Sequence, residues 1–300
     1  MQIGIVGAGA IGLTLAAGLA SAHDVVVLAR RATVAELLDR DGIAVTGDGG
    51  MRLIPLRATA DPRGLAGCDA VIVAVKAYAT GSALAPLRGV LSPGALVASV
   101  QNGIGNVDAA RAALPGARIV AGATTQGAIR LEDGRVQPIG RGTTTFARSD
   151  GTAPTSDDLA AAFVAAGLEA TVTADASALL WGKLIVNAAI NPACALAGRP
   201  NGDAANDPEL RLLANVLANE AAQVARAEGV DAGDPWPAVE AAARATAANR
   251  NSMLQDLDAG RRTEIDAISG AIAERARAHG IAVPVTETVL HLVRAREARP

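Results

Sequence analysis

Along its first half the chain alternates short β-branched runs with Ala- and Leu-rich runs whose apolar positions recur at helical spacing. The β-branched runs predict strands at Gln2–Val6, Val25–Ala29, Ala70–Val75, Ala95–Ser99 and Ile119–Ala123. The intervening runs predict helices opening after Gly9 and near Thr33, Thr80 and Asn106. Such alternation is the pattern of a parallel sheet covered by helices on both faces. From Gly127 to Phe146 the alternation is polar and contains the turn Glu132-Asp133-Gly134-Arg135, which predicts antiparallel strands added at the sheet edge. Beyond Thr173-Ala174-Asp175 the β-branched runs stop, and only long helical patterns broken by turns remain. The charged end, Arg294 to Pro300, reads as a fraying tail.

Composition narrows the picture. At 300 residues the chain is long enough for two domains of ordinary size. Half of it is apolar but only 2% is aromatic, so its cores must be assembled from Ala, Val, Leu and Ile. A net charge of -3 offers no general attraction to nucleic acid or anionic lipid. Cys68 and Cys194 lie far apart, without the spacing of a disulfide framework or a metal site, which fits a reducing cytoplasm and buried, neutral thiols. The N-terminus runs directly into a strand rather than a signal sequence. The most apolar stretch, Ala176 to Ala197, is interrupted by Lys183, Asn187 and Asn191, so a soluble chain with no membrane, nucleic-acid or metal partner is expected.

The first chemical signal is Gly7-Ala8-Gly9-Ala10-Ile11-Gly12, which follows the N-terminal strand and opens a helix. In that context a G-x-G-x-x-G run predicts a dinucleotide site: one glycine for the turn, one for close approach of a pyrophosphate, one for helix-on-strand packing. The phosphates would meet free N–H groups at the helix N-terminus. A turn serving helix packing alone is the competing explanation. The predicted fold is therefore α/β, with an N-terminal Rossmann-type parallel-sheet domain at 1–174 followed by an all-helical domain at 175–300.

After the second strand, where NAD-selective domains carry an acidic residue for the ribose hydroxyls, this chain has Arg30-Arg31. A guanidinium there can pair with a 2′-phosphate, so NADP(H) is the expected cofactor and Arg30, nearer the strand end, the expected contact. Two solvated charges starting a helix would give the same sequence. Lys76 and Asn102 also fall at predicted strand ends, where ligands of open sheets collect.

The second signal is on the apolar stretch opened by Asp175, a natural N-cap. Lys183, Asn187 and Asn191 are spaced by four and share one helix face. Burying an amine and two amides on such a helix costs several kcal/mol unless they find partners. A polar cleft supplies them; so would hydrogen bonds between helices. An amine facing a carbonyl substrate can also act as a proton donor. The polar clusters Asn249–Asp256 and Arg261–Asp266 carry no readable chemistry by spacing alone.

Together these segments resemble the ketopantoate reductase family. The likeness is carried in order by the glycine turn, Val75-Lys76-Ala77-Tyr78, Gln101-Asn102-Gly103, Trp181 to Asn187, Ile190-Asn191-Pro192, Pro200-Asn201-Gly202, Asn251 to Asp256 and Thr263-Glu264-Ile265-Asp266. The resemblance implies NADPH-dependent reduction of 2-dehydropantoate, a small 2-oxo acid, to pantoate on the way to coenzyme A. It implies Lys183 as general acid with Glu264 beside it and near the cofactor. Asn102, Asn187, Asn191, Asn201 and Ser252 would hold the substrate, and Lys76, Asn102 and Ala128 would line the cofactor site with Arg30. Reduction of another branched 2-oxo acid, or NADP(H) sensing without turnover, remains an alternative, and a homodimer is the candidate assembly.

Overall fold

The computed structural model describes residues 1–47, 49–149, 151 and 153–297. They form two compact units, one within residues 1–101 and 106–179, the other within residues 102–105 and 180–297.

The first unit runs β1 (Gln2–Val6), α1 (Ala10–Leu19), β2 (Asp24–Leu28), α2 (Ala32–Asp41), β3 (Ile43–Gly47), β4 (Gly50–Ile54), β5 (Arg57–Thr59) and β6 (Ala70–Val73). It continues with α3 (Thr80–Leu84), β7 (Leu96–Ser99), α4 (Asn106–Ala113), β8 (Arg118–Thr124), β9 (Gly127–Glu132), β10 (Arg135–Ile139), β11 (Thr143–Ala147), α5 (Ser156–Ala165) and β12 (Glu169–Thr173). The main sheet has eight strands in the order β12-β11-β8-β7-β6-β1-β2-β5. Its pairings are parallel except for β11 against β8. The central strands β1, β6 and β7 read as almost unbroken apolar runs because helices cover both their faces.

One sequence expectation is corrected here. The hairpin β9–β10 does not extend the main sheet; it joins β3 and β4 in a second sheet of order β4-β3-β10-β9. The physical reason lies in α1, whose sequence AIGLTLAAGL is apolar all round. One stripe covers β1 and β2, and the opposite stripe needs its own cover. The second sheet supplies it through Ile43, Val45 and Val136, which share one core with Ile3, Leu13, Leu15 and Leu19. Only β11, just beyond the hairpin, makes the antiparallel pairing with the main sheet. Phe146 on β11 then meets Phe163 of α5 edge to face at 5.3 Å.

The second unit is helical: α6 (Ala176–Ala197, belonging to this unit from Leu180 on), α7 (Asp203–Asn206), α8 (Pro208–Ala227), α9 (Trp236–Ala245), α10 (Ser252–Asp258), a π-helical turn Asp266–Gly270, α11 (Ala271–Ala278) and α12 (Pro284–Glu297). Long enough and apolar enough to cross a membrane by composition, α6 instead buries its apolar residues in this unit's core. Ala188, Ala189, Ala214, Ala218, Ala221 and Ala222 are all buried there, so small side chains let α6 and α8 contribute to one core in which Trp181 is the large buried aromatic side chain.

The expected fraying is corrected for Arg294 to Glu297. Helix α12 extends to Glu297, and the side chains of Arg294, Arg296 and Glu297 are all hydrogen-bonded. The remaining residues of the expected tail, 298–300, lie outside the described residues. Cys68 and Cys194 are buried free thiols, and burial pushes each up to about 11.

Candidate active site

The glycine turn closes because two of its positions, Gly7 and Gly12, lack a Cβ. Gly7 has φ +119°, and a Cβ there would lie 2.8 Å from Val75 Cγ1. At Gly12 the added atom would lie 2.0 Å from the Gly7 carbonyl oxygen, so the first turn of α1 can sit on the end of β1 only with glycine. Gly9 differs: the only atom within reach of its virtual Cβ is the Ala74 oxygen at 4.0 Å. Gly9 is the N-cap of α1 with extended backbone, and no side chain caps the helix. Ala8, Ala10 and Ile11 around it are half-buried. The opening N–H groups of α1 are thus left for an anion.

The neighbouring strand ends add polar groups. Because β2, β1, β6 and β7 are adjacent and parallel, the residues following them fall on one carboxyl edge. Arg30, after β2, is exposed and has no hydrogen-bond or ion-pair partner among the described residues. Arg31, by contrast, pairs with Asp133 of the β9–β10 turn at 2.6 Å. Lys76, half-buried, follows β6 and precedes a short 3₁₀ turn. Ala128 sits elsewhere, on β9 opposite Pro138 in the second sheet.

Gln101 is a residue that the sequence pattern does not single out. Buried after β7, its amide donates to the Val75 carbonyl at 2.9 Å and to Thr80 Oγ1 at 2.8 Å, and it accepts from Ser99 Oγ at 3.0 Å. It ties together the loops that carry Lys76 and precede Asn102. A glutamine next to a strand end is the available signal, obscured by the Asn102-Gly103 turn that follows.

Asp175 caps α6 by accepting from the Ala178 N–H at 2.8 Å. The apolar side of α6 is buried through Trp181, Leu184, Ile185, Ala188 and Ala189. Its polar face keeps Lys183 and Asn187 half-buried and Asn191 buried. None of the three side chains has a hydrogen-bond or ion-pair partner among the described residues, so hydrogen bonding between helices does not account for them. Although part of the Lys183 side chain reaches the surface, its ammonium lies deep. Burial lowers its pKa from 10.5 to about 8, and the nearby Glu264 carboxylate offsets part of that fall.

Glu264 is 7% exposed and accepts from Asn102 Nδ2 at 3.2 Å. Asn102 belongs with the helical unit because its loop is stitched to the π-helical turn: Ile104 N–H donates to the Ala267 carbonyl at 3.2 Å. At Gly103, φ is +86° and a Cβ would lie 2.3 Å from that same carbonyl oxygen. Lys183, Glu264 and Asn102 therefore form one constellation. A π-helical turn directly after such a carboxylate matches the tendency of these turns to occur at functional sites.

Asn201 and Ser252 stand differently. Asn201 donates to Thr246 Oγ1 at 3.0 Å and accepts from Asn251 Nδ2 at 3.1 Å, so its amide braces two loops. Asn251 in turn caps α10 by accepting from Leu254 N–H. Ser252, the next residue, is exposed and has no hydrogen-bond partner among the described residues. Among the described residues no group of His, Cys, Asp and Glu side chains is arranged to hold a metal ion.

A parallel sheet with an open helix N-terminus, joined in one chain to a helical unit bearing a lysine–glutamate pair, is the architecture of a nicotinamide-dependent oxidoreductase. The chain belongs to the ketopantoate reductase PanE/ApbA family, whose model matches residues 3–151 and whose C-terminal model matches residues 175–297. It is 38% identical to the 2-dehydropantoate 2-reductase of Halobacterium salinarum over 98% of both chains. The crystal structure of a PanE/ApbA family ketopantoate reductase from Ralstonia eutropha JMP134 matches it with a TM-score of 0.90 at 31% identity, covering 99% of this chain and 98% of that one. D-mandelate dehydrogenase, solved with NADH and anilino(oxo)acetate, matches with a TM-score of 0.91 at 24% identity, covering 99% and 98%, a likeness of fold.

Proposed function

We propose that this protein reduces 2-dehydropantoate to pantoate with NADPH, Lys183 acting as the proton donor. The observation that carries the proposal is Lys183 itself: an ammonium held deep, near the Glu264 carboxylate, with no hydrogen-bonding partner of its own among the described residues. Such an amine is positioned for an oxygen that the protein does not supply. The close relatives named 2-dehydropantoate 2-reductase support the choice of substrate.

Gly7, Gly9 and Gly12, with the N–H groups opening α1, suit the pyrophosphate of a dinucleotide, and the free guanidinium of Arg30 suits a 2′-phosphate. Bound NADPH supplies the hydride that the ketone carbon accepts. Lys183 stabilises the negative charge developing on the ketone oxygen and donates a proton to it. Glu264 keeps the amine charged against the penalty of burial. Asn187, Asn191 and Ser252 offer uncommitted donors to the carboxylate and hydroxyl groups of a 2-oxo acid, while Asn201 holds the segment carrying Ser252. The buried, neutral thiols suit a reducing compartment such as the cytoplasm.

The test is NADPH oxidation with 2-dehydropantoate and a panel of branched 2-oxo acids, in the wild type and in Lys183→Ala. Turnover should be fastest with 2-dehydropantoate and fall about 10²- to 10⁴-fold in the variant. Because the acid form of Lys183 is required, kcat/KM should hold steady below pH 8 and decline as pH rises through about 8. Faster turnover of another 2-oxo acid would move the substrate assignment. Tight NADPH binding with no turnover would replace the enzyme by a sensor.

A further inference from the structure

The last turn of α12 is bound to the segment that carries Glu264. Glu297 Oε1 accepts from the backbone N–H of Thr263 at 2.7 Å. Arg294 Nε donates to Asp266 Oδ1 at 2.8 Å, while Arg262 donates to Oδ2 of the same carboxylate at 2.9 Å. Partial burial opposes ionisation of Asp266, but these two guanidiniums outweigh it and hold the carboxyl below its usual range. Arg296 donates to the carbonyls of Ala195 and Leu196 in the last turn of α6 at 2.6 and 3.1 Å.

Thr263 is the point where these contacts converge on Glu264. It is 1% exposed, and its hydroxyl accepts from the Ile265 N–H at 3.1 Å. The amides on both sides of Glu264 are thus satisfied by side chains, one by Thr263 and the other by Glu297. The Glu264 carbonyl opens the next helical turn by accepting from the N–H groups of Ala267 and Ile268 at 3.0 and 3.1 Å, but the Thr263 peptide precedes that turn, α10 having ended at Asp258, and its N–H relies on Glu297. Without the Glu297 oxygen, a buried N–H loses its acceptor, and the peptide must turn to find another. Glu264 is one residue away and moves with it.

We propose that Glu297 is a positioning residue for the Lys183–Glu264 pair, setting the place of the Glu264 carboxylate through the Thr263 peptide. The proposal rests on Lys183 being the proton donor. Its effect is electrostatic as well as geometric, because a displaced Glu264 gives the Lys183 ammonium less support. The other charged groups around this segment are Arg262 and Asp266 beside Glu264, Arg294 and Arg296 on α12, and the Asp256–Arg261 pair at the end of α10.

The experiment compares pH profiles of kcat/KM for the wild type, Lys183→Ala, Glu297→Ala and Glu297→Gln. In Glu297→Ala, kcat should fall about 10- to 100-fold, in line with a displaced catalytic group. Its alkaline limb should move to lower pH, and amide hydrogen exchange at Thr263 should accelerate. Glu297→Gln keeps an oxygen acceptor but loses the same charge, and it should restore rate, limb and protection. If the alanine variant does not fold, Glu297→Asp, which keeps the charge but shortens the reach, carries the same expectation. A glutamine variant as impaired as alanine, or an alanine variant with the wild-type limb, overturns the positioning role. Survival of activity in Lys183→Ala removes the proton-donor assignment instead, and the positioning role falls with it.

Discussion

Arg31 and Asp133 meet at 2.6 Å, linking the residue that precedes α2 to the turn of the β9–β10 hairpin. Of two adjacent arginines, one is thereby engaged by the protein and the other, Arg30, stays exposed without a partner among the described residues. Charge-assisted hydrogen bonds of the kind a 2′-phosphate makes contribute about 1.5–3 kcal/mol. Arg30→Ala should therefore raise KM for NADPH by about 10- to 100-fold and leave KM for NADH nearly unchanged, whereas Arg31→Ala should affect both cofactors little. Steady-state kinetics with the two cofactors checks this, and equal losses on both would remove Arg30 from the 2′-phosphate.

The glycines of the first turn should separate folding from binding. A methyl group at position 12 collides with the Gly7 carbonyl at 2.0 Å, while one at position 9 meets nothing closer than 4.0 Å. Gly12→Ala should lower the thermal midpoint of the cofactor-free protein by several degrees, the cost of strain at a packed backbone contact. Gly9→Ala should keep that midpoint and lose most of the rise that NADPH produces, since ligand stabilisation follows affinity. Thermal melts with and without NADPH make the comparison. A Gly9→Ala variant with an undiminished NADPH response would place the pyrophosphate away from this turn.

Features with a strong local cause are legible in the amino-acid sequence. The β1–α1 turn has glycines at fixed offsets, and α6 shows a polar stripe that its apolar surroundings throw into relief, with Asp175 capping it. The second sheet is harder to foresee, because its cause is the far side of α1: two apolar stripes on one helix look, along the chain, like one buried helix. Glu264 owes its setting to distant partners, Asn102, 162 residues from it, and Glu297, 34 residues from its neighbour Thr263. Neither pairing leaves any periodicity in the sequence. Glu264 stands out only through family resemblance, and Glu297 reads as part of a solvated tail because Arg-Ala-Arg-Glu looks the same whether or not it is docked.

Gly103 makes the loop after β7 testable in isolation. Both Gly103 and Gly105 have positive φ, +86° and +92°, so alanine at either position carries a backbone penalty of about 1–3 kcal/mol. Only at Gly103 would the Cβ also strike Ala267, 2.3 Å from its oxygen; at Gly105 nothing lies within 4 Å. Both variants should lose some stability. Gly103→Ala alone should also lose about two orders of magnitude in kcat, because it moves Asn102 away from Glu264. Chemical denaturation and steady-state rates on the pair decide the point. Comparable rates in the two variants would show that the Asn102–Glu264 contact does not matter to turnover.

The buried ammonium of Lys183 should cost stability wherever it is charged in the folded protein. Its folded pKa of about 8 lies below the ordinary 10.5, so between those values the unfolded chain binds more protons than the native one. Unfolding free energy then rises with pH across that window, and the full penalty applies below it. Lys183→Met, similar in length and uncharged, should stabilise the protein at pH 7 by on the order of 1–3 kcal/mol while abolishing turnover, as expected where a site is built at the expense of the fold. Urea unfolding of the two proteins from pH 7 to 10 measures the difference directly. The gap should narrow steadily as pH rises through about 8 toward 10.5, because the wild type sheds its buried charge on the way. A gap that stays constant with pH would mean that the methionine stabilises by packing, and that the ammonium is better solvated than its position in α6 implies.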